Sequence, residues 1–198
     1  MFTWRMAAAA GAAALSVGAA EAAYIVDTGP GPAGGDFLFL GVVGGSWERL
    51  GATFNVAEDS SITGVEGWIG GLGGLVFELH QGATPTGTLL FSSPVAVTNA
   101  ADGWRGATGL DWSVPAGDYT LVVMSQPGFN GQMVVSPPNP LDTNWFSNVL
   151  FPGWQTTTFT MGWRVDAIAT SVPEPASAVL YALGLAALGA GMRRRLQR

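Results

Sequence analysis

Residues 75–80 read Leu-Val-Phe-Glu-Leu-His, and this stretch decides the fold class. Large apolar side chains alternate along it with others that include Glu78 and His80. A period of two is that of a β-strand, whose successive side chains point to opposite faces of the sheet. Residues 163–167 alternate in the same way, with Arg164 and Asp166 on the polar face. Both segments are therefore predicted to be strands with one buried face and one solvated face.

Nine further segments are predicted to be strands, because each is short, rich in β-branched or aromatic residues and bounded by turn residues. No stretch of eleven or more residues between them has helical periodicity. These predicted strands are residues 37–43, 47–56, 62–69, 89–92, 95–98, 110–114, 119–125, 132–136 and 144–150.

Glycine and proline separate the predicted strands. Residues 70–74, Gly-Gly-Leu-Gly-Gly, are predicted to be a turn between two of them, and residues 115–118, Pro-Ala-Gly-Asp, to be a tight turn before Tyr119. Roughly ten short strands in one stretch of this length are typical of an all-β fold. We predict a jelly-roll-like β-sandwich for residues 23–170, and a closed barrel is the alternative architecture.

Charge and composition exclude several classes of function. The chain has 198 residues and contains neither cysteine nor lysine. Between residues 23 and 172, three basic against twelve acidic residues give a formal charge of −9, which repels nucleic acid and anionic lipid. We therefore expect no nucleic-acid partner. Without cysteine, there is no disulfide framework, no thiol nucleophile and no Cys-ligated zinc.

The sequence offers little material for catalysis. His80 is the one histidine, on the polar face of a predicted strand and two residues from Glu78, and no serine lies in a Gly-x-Ser-x-Gly elbow. The one adjacent acidic pair, Glu58 and Asp59, precedes two serines and is interpreted as a solvated turn. We predict a non-enzymatic protein with no catalytic residue, no metal site and no cofactor. A matrix polysaccharide hydrolase with two facing carboxylates is one alternative.

Tryptophan is the residue type that points to a possible ligand. Trp68 and Trp163 lie on the apolar faces of predicted strands and are expected in the core. Trp104, Trp145 and Trp154 lie next to turn residues and are expected to be exposed. Because sugars stack on exposed aromatic rings, these three are candidate carbohydrate contacts. A carbohydrate-binding module is therefore the other alternative function.

Residues 1–22 are typical of a secretory signal peptide. The segment begins with a short region that carries Arg5 and continues as an alanine-rich apolar stretch. Ala20 and Ala22 then fit an A-x-A cleavage site. The expected partners are the secretion translocon and signal peptidase, and cleavage after Ala22 would leave a chain that starts at Ala23.

Residues 171–198 combine a stiff motif with an apolar segment. The motif is Pro173, Glu174 and Pro175, which is predicted to be extended because proline lacks an amide donor and restricts the residue before it. Residues 176–192 follow without a charge. Their length is at the short end of the roughly 17 to 25 residues that a transmembrane helix needs.

A basic cluster ends the chain. Arg193, Arg194 and Arg195 directly follow the predicted transmembrane helix. Such clusters stay on the cytoplasmic side, so the residues before Pro173 are expected on the other side of the inner membrane. The three arginines are therefore predicted to stop translocation.

The arrangement over residues 171–198 resembles the PEP-CTERM sorting signal, whose signature tripeptide is Pro-Glu-Pro. The resemblance implies that exosortase is a partner, that the inner membrane holds the chain transiently, and that processing passes it to the cell surface or the extracellular space. It also implies a role linked to exopolysaccharide and biofilm. Residues 65–69, 115–119 and 162–165 are similar to an early strand, a hairpin and a closing strand of domains that often precede this signal.

Overall fold

The computed structural model describes residues 22–43, 46–148 and 150–170 and the single residue Leu185, without the side chains of residues 42–47. The described residues form thirteen strands. These are β1 (Ala23–Asp27), β2 (Phe37–Leu40), β3 (Val42–Val43), β4 (Ser46–Trp47), β5 (Arg49–Val56), β6 (Ser60–Gln81), β7 (Leu89–Val97), β8 (Gly103–Val114), β9 (Gly117–Ser125), β10 (Asn130–Val134), β11 (Thr143–Ser147), β12 (Gln155–Thr157) and β13 (Trp163–Ala169).

Eleven of these strands form one antiparallel sheet in which β6 is shared by two halves. In the first half, residues 60–69 of β6 pair with β13 and β8, β1 lies beyond β13, and β10 joins β6 to β2. In the second half, residues 73–81 of β6 lie between β7 and β9, and β5, β11 and β12 continue beyond β9. The short strands β3 and β4 pair only with each other among the described strands.

Strand β6 folds back on itself, and this curls the sheet. Its first residue, Ser60, pairs with Val114, and its last residue, Gln81, pairs with Tyr119. Val114 and Tyr119 are joined by a short stretch of chain, so the two ends of β6 must lie close together. The sheet is therefore a curled antiparallel one whose two halves face each other.

The glycine-rich residues 70–74 form the bend of β6. We predicted a turn that separates two strands, and this prediction was wrong in one respect, because the ladder of backbone pairing continues through the segment. Gly71 and Gly73 have φ of 141° and 120°. A Cβ on Gly71 would lie 2.6 Å from the Cα of Gly131. Only glycine allows the neighbouring backbone to come this close.

One hydrophobic core lies between the two halves. Leu75, Phe77 and Leu79 are fully buried, which confirms the buried face predicted for residues 75–80. Trp163 is buried in the core as predicted. Trp68 is only half-buried, so its predicted place in the core was wrong. It follows buried Gly67 and precedes buried Ile69, and so lies on the outer face of β6.

The turn at residues 115–118 joins the two halves and is not a hairpin. Strand β8 belongs to the first half and β9 to the second, and the two do not pair with each other. The hydroxyl of Tyr119 donates a hydrogen bond of 2.8 Å to the carbonyl of Pro115, which holds the corner closed. The chain does change direction before Tyr119 as predicted, but Gly117 and Asp118 already belong to β9, so only Pro115 and Ala116 lie between the two strands. The hairpin that the resemblance implied is corrected.

The all-β prediction is confirmed, and the observed arrangement is the curled antiparallel sheet. Jelly-roll connectivity stays a prediction. The predicted signal peptide at residues 1–22 and the predicted transmembrane helix at residues 176–192 lie outside the described residues, apart from Ala22 and Leu185. In the described part of the chain, no helix is long and apolar enough to cross a membrane.

Candidate functional site

The described domain ends at a fixed point. Ala169, the last residue of β13, pairs with Ser60. The backbone N–H and the hydroxyl of Thr170 both donate hydrogen bonds of 2.8 Å to the carbonyl of Asp59. The Asp59 carboxylate in turn accepts a bond of 2.9 Å from the N–H of Ala116. The chain is therefore held in place up to the residue that precedes the predicted sorting segment.

The beginning of the domain lies beside its end. Strand β1 pairs antiparallel with β13, and Ala23 lies opposite Ala167. Ala22 is exposed, whereas Ala20 lies outside the described residues. The predicted cleavage site for signal peptidase and the predicted sorting segment therefore adjoin neighbouring strands at one edge of the sheet.

The three tryptophans predicted to contact carbohydrate do not form one site. Trp104 lies in β8, in the first half of the sheet. Trp145 lies in β11 and Trp154 directly precedes β12, both in the second half. All three side chains are half-buried rather than fully exposed.

Trp104 belongs to an aromatic cluster on the outer face of the first half. The guanidinium of Arg164 lies 4.0 Å from the centroid of the Trp104 ring and 4.9 Å from that of Tyr24. The Trp68 ring meets Trp104 in a T-shaped arrangement with centroids 5.2 Å apart. Arg164 also forms an ion pair of 3.1 Å with Asp27. Because Arg164 lies over the Trp104 ring, Trp104 is a weaker candidate for sugar stacking than the sequence indicated.

Two carboxylates share this outer face with Arg164. Glu66 lies opposite Arg164 in the ladder of β6 and β13, and Asp166 is two residues further along β13. Partial burial raises the pKa of Glu66, and the positive charge of Arg164 opposes that rise. Partial burial likewise raises the pKa of Asp166, again against the effect of Arg164. The sequence analysis missed this cluster; the alternation of Arg164 and Asp166 with apolar residues was its available signal.

Trp145 is oriented by a hydrogen bond on the outer face of the second half. Its indole N–H donates a bond of 3.0 Å to the hydroxyl of Thr53. The hydroxyl of Thr53 in turn lies 3.3 Å from the hydroxyl of Thr120. The ladder places Trp145 opposite Gly51, which has no side chain beside the ring. This indole is therefore held in one orientation.

His80 is engaged by two neighbours. Its Nε2 lies 3.1 Å from the Glu78 carboxylate, and its Nδ1 lies 3.1 Å from the carbonyl of Gly87. The hydrogen bond to Glu78 raises the pKa of His80, while partial burial opposes the rise. Both ring nitrogens thus have partners within the fold. Within residues 22–43, 46–148 and 150–170, no group of three or more His, Asp or Glu side chains is placed to hold a metal ion.

The comparison with protein families concerns the segment that follows the domain. Residues 171–195 match the model of the PEP-CTERM protein-sorting motif. The fold and this match define the class of the protein, an all-β domain followed by a sorting segment. The chain is thus consistent with a PEP-CTERM domain-containing protein, as the resemblance implied. A search of curated proteins found no match to the chain.

The matched residues include the predicted sorting motif at Pro173, Glu174 and Pro175 and the predicted stop at Arg193, Arg194 and Arg195. These six residues lie outside the described part of the structure. The motif indicates exosortase-targeted sorting of a surface protein and implies export with a membrane-anchored sorting signal. The functional site supported by the comparison is therefore the segment that starts directly after Thr170.

Proposed function

We propose that this chain is an exported, non-enzymatic protein of the cell surface or extracellular matrix, which an exosortase processes and which is linked to exopolysaccharide and biofilm. The match of residues 171–195 to the PEP-CTERM protein-sorting motif carries the proposal. In this proposal the signal peptide brings the chain to the translocon, the apolar residues 176–192 hold it transiently in the inner membrane, and cleavage near the motif frees the domain. The domain itself is a jelly-roll-like β-sandwich, a proposal supported by the single core between the two halves of the sheet.

Processing is tested by the double substitution Pro173→Ala with Pro175→Ala. Cells with and without the exosortase are fractionated, and the mass of the product is measured. We expect the unaltered chain to be shortened only where the enzyme is present, and the double variant to stay at full length in the membrane fraction. Pro152→Ala, in an exposed loop of the domain, is the matched control and should mature normally. Normal maturation of the double variant would count against recognition of the motif.

The transient anchor is tested at the basic end. Replacing Arg193, Arg194 and Arg195 by serine removes the charges that keep this end in the cytoplasm. We expect the tail to become misoriented or to pass through the membrane. Protease protection of the tail in spheroplasts measures this, and unchanged protection would contradict the predicted orientation.

The non-enzymatic role is supported by how the polar groups of the domain are engaged. Glu66 and Asp166 both lie near the charge of Arg164, and both ring nitrogens of His80 have partners. The alternative, a hydrolase, would need two carboxylates across a cleft. The test incubates the purified protein and Glu66→Gln with the cell's own exopolysaccharide and measures new reducing ends. Turnover that Glu66→Gln abolishes would overturn the proposal.

Polysaccharide binding is the second candidate function, and Trp145 favours it. Its indole is oriented by Thr53 and has Gly51 beside it on the outer face. Aromatic rings fixed in this way offer contact area at little cost in conformational entropy. We expect the tryptophan fluorescence of the protein to shift on addition of the cell's own exopolysaccharide. The shift should be lost in Trp145→Ala and kept in Trp104→Ala, whose ring lies under Arg164.

A further inference from the structure

The sorting motif follows the folded domain with almost no spacer. Thr170 is bound to Asp59 through both its N–H and its hydroxyl. Only Ser171 and Val172 separate it from Pro173. Three residues of extended chain span at most about 11 Å. Any enzyme that binds the motif must therefore lie next to this end of the domain.

This end of the domain contains an apolar hollow of about 220 Å³. Its lining includes Ala23 and Ile25 from β1, Val56 and Ala57 at the end of β5, and Ala169 at the end of β13. Glu58 also lines the hollow, and we call the whole lining the exit face. The hollow is thus built from the first strand, the last strand and the loop that holds Thr170.

Ile25 is exposed at the exit face because of an irregularity in β1. The register between β1 and β13 shifts between Tyr24 and Val26, so Ile25 has no partner in the ladder. Ile25 is 38 % exposed and lines the hollow. Bulges of this kind redirect one side chain at the edge of a sheet. Here the redirected side chain is a large apolar one beside the start of the sorting segment.

The charge at the exit face is negative. Glu58 lines the hollow, and the neighbouring Asp59 is exposed as well. None of the arginines in the described part of the chain lines it. Anionic lipid would be repelled, so the membrane surface is a poor partner for this face. A protein surface with an apolar group beside a basic one would be complementary to it.

We propose that the exit face is a second recognition surface for the exosortase, which would contact the domain while it binds the motif. This inference rests on the proposed function. The partner is the part of the exosortase that lies on the outer side of the inner membrane, which would place an apolar group in the hollow and a basic group near Glu58. The short spacer makes the contact unavoidable, and the apolar hollow with its adjoining carboxylates makes it specific.

The experiment measures the rate at which the full-length chain is converted to product in cells that contain the exosortase, by pulse-chase. Ile25→Ser removes the apolar side chain, and Glu58→Arg reverses the charge. We expect each to slow conversion about tenfold. The matched controls are Leu72→Ser, an apolar side chain exposed at the bend of β6, and Asp36→Arg, an exposed carboxylate before β2. Both should convert at the normal rate.

A spacer variant distinguishes recognition from simple obstruction. About ten glycine and serine residues are inserted between Thr170 and Ser171, which leaves the domain unchanged and adds a flexible link. Recognition predicts slower conversion, because binding of the motif no longer brings the exit face to the enzyme. Faster or equal conversion, together with normal rates for Ile25→Ser and Glu58→Arg, would overturn the inference.

Folding and the proposed function are checked separately. Urea unfolding of each purified variant shows whether the exit-face substitutions act through stability, and a variant as stable as its control that still converts slowly supports recognition. If the unaltered chain is not converted at all, the proposed function fails. If it is converted at the same rate as the exit-face variants, only the second recognition surface fails.

Discussion

Thr28 binds both backbone groups of Trp163, which joins the end of β1 to the start of β13. The N–H of Trp163 donates a bond of 2.7 Å to the Thr28 hydroxyl, and the N–H of Thr28 donates one of 3.1 Å to the Trp163 carbonyl. Thr28 is 1 % exposed. The Thr28 hydroxyl therefore accepts the hydrogen bond that a backbone carbonyl of a neighbouring strand would otherwise accept from the buried N–H of Trp163.

Replacing this hydroxyl by a methyl group should be costly. Thr28→Val keeps the shape of the side chain and leaves the buried N–H of Trp163 without its acceptor. We expect the free energy of unfolding in urea to fall by about 1 to 3 kcal/mol. Thr98→Val, at an exposed position, is the control and should change it little. Equal values for the two variants would show that the Thr28 bond does not stabilise the fold.

The bend of β6 should tolerate no side chain at Gly71. Besides strain from φ of 141°, the Cβ in Gly71→Ala would lie 2.6 Å from the Cα of Gly131 and 2.7 Å from the carbonyl of Asn130. We expect a loss of about 3 kcal/mol or more, or failure to fold. Gly109→Ala is the control, because its φ is 69° and nothing lies within 4 Å of the added atom. It should cost about 1 kcal/mol from backbone strain alone. Soluble yield and urea unfolding measure both, and a similar loss in the two variants would refute the packing argument.

Arg164 should stabilise the outer face through its planar group. Arg164→Met removes the contact with Trp104 and the ion pair with Asp27, and we expect a loss of about 1 kcal/mol with a change in tryptophan fluorescence. Arg164→Lys keeps the charge and loses the planar stacking. Its free energy of unfolding should therefore lie between those of Arg164→Met and the unaltered protein. Urea unfolding at low and high salt separates the two contributions, because salt screens the ion pair. A Lys variant as stable as the unaltered protein would contradict a role for stacking.

The pair of His80 and Glu78 should make stability depend on pH. The hydrogen bond to Glu78 raises the pKa of His80 in the folded protein. The proton is therefore bound more tightly in the folded than in the unfolded state. The resulting stabilisation is fully present below the unfolded pKa of about 6.5, and it is lost as pH rises through the higher folded pKa.

Glu78→Gln tests this dependence, because the neutral amide no longer favours the charged imidazole. We expect the pKa of His80, followed by NMR, to fall, and the change in unfolding free energy between pH 5 and pH 8 to shrink. Asp111→Asn is a control in the first half of the sheet and should leave both measurements unchanged. An unchanged pKa of His80 in Glu78→Gln would show that the hydrogen bond to Glu78 does not raise this pKa.

Local alternation was enough to predict the strands that bury one face. Residues 75–80 and 163–167 show it clearly, and both are strands with the predicted faces. It failed where glycine interrupts the pattern. Residues 103–109 carry three glycines and no apolar alternation, yet they belong to β8 because β6 offers a ladder to pair with.

The extent of β7 and the face on which Trp68 lies depend on pairing between strands, which local sequence patterns do not contain. The predicted strands 89–92 and 95–98 are one strand, β7, in which Pro94 is tolerated opposite Val76. Trp68 lies on the outer face beside its cross-strand partner Trp104, because the register of β6 shifts between Ile62 and Gly64 and this reverses the faces that simple alternation from Ile62 assigns. The sorting motif was readable from sequence because it depends on residue order alone, whereas the Thr170 contact with Asp59 depends on the fold.

The pairing of β1 with β13 joins the first described strand of the chain to the last one, so this part of the sheet can form only late. Among the described strands, β1 pairs with β13 alone. In the export that we propose, the chain crosses with its N-terminus first, and β1 then has no ladder partner until β13 has followed. Until then β1 exposes unpaired backbone groups, a template for pairing with other chains. A chaperone that shields this one strand on the far side of the inner membrane would therefore protect the exported chain from aggregation until β13 arrives.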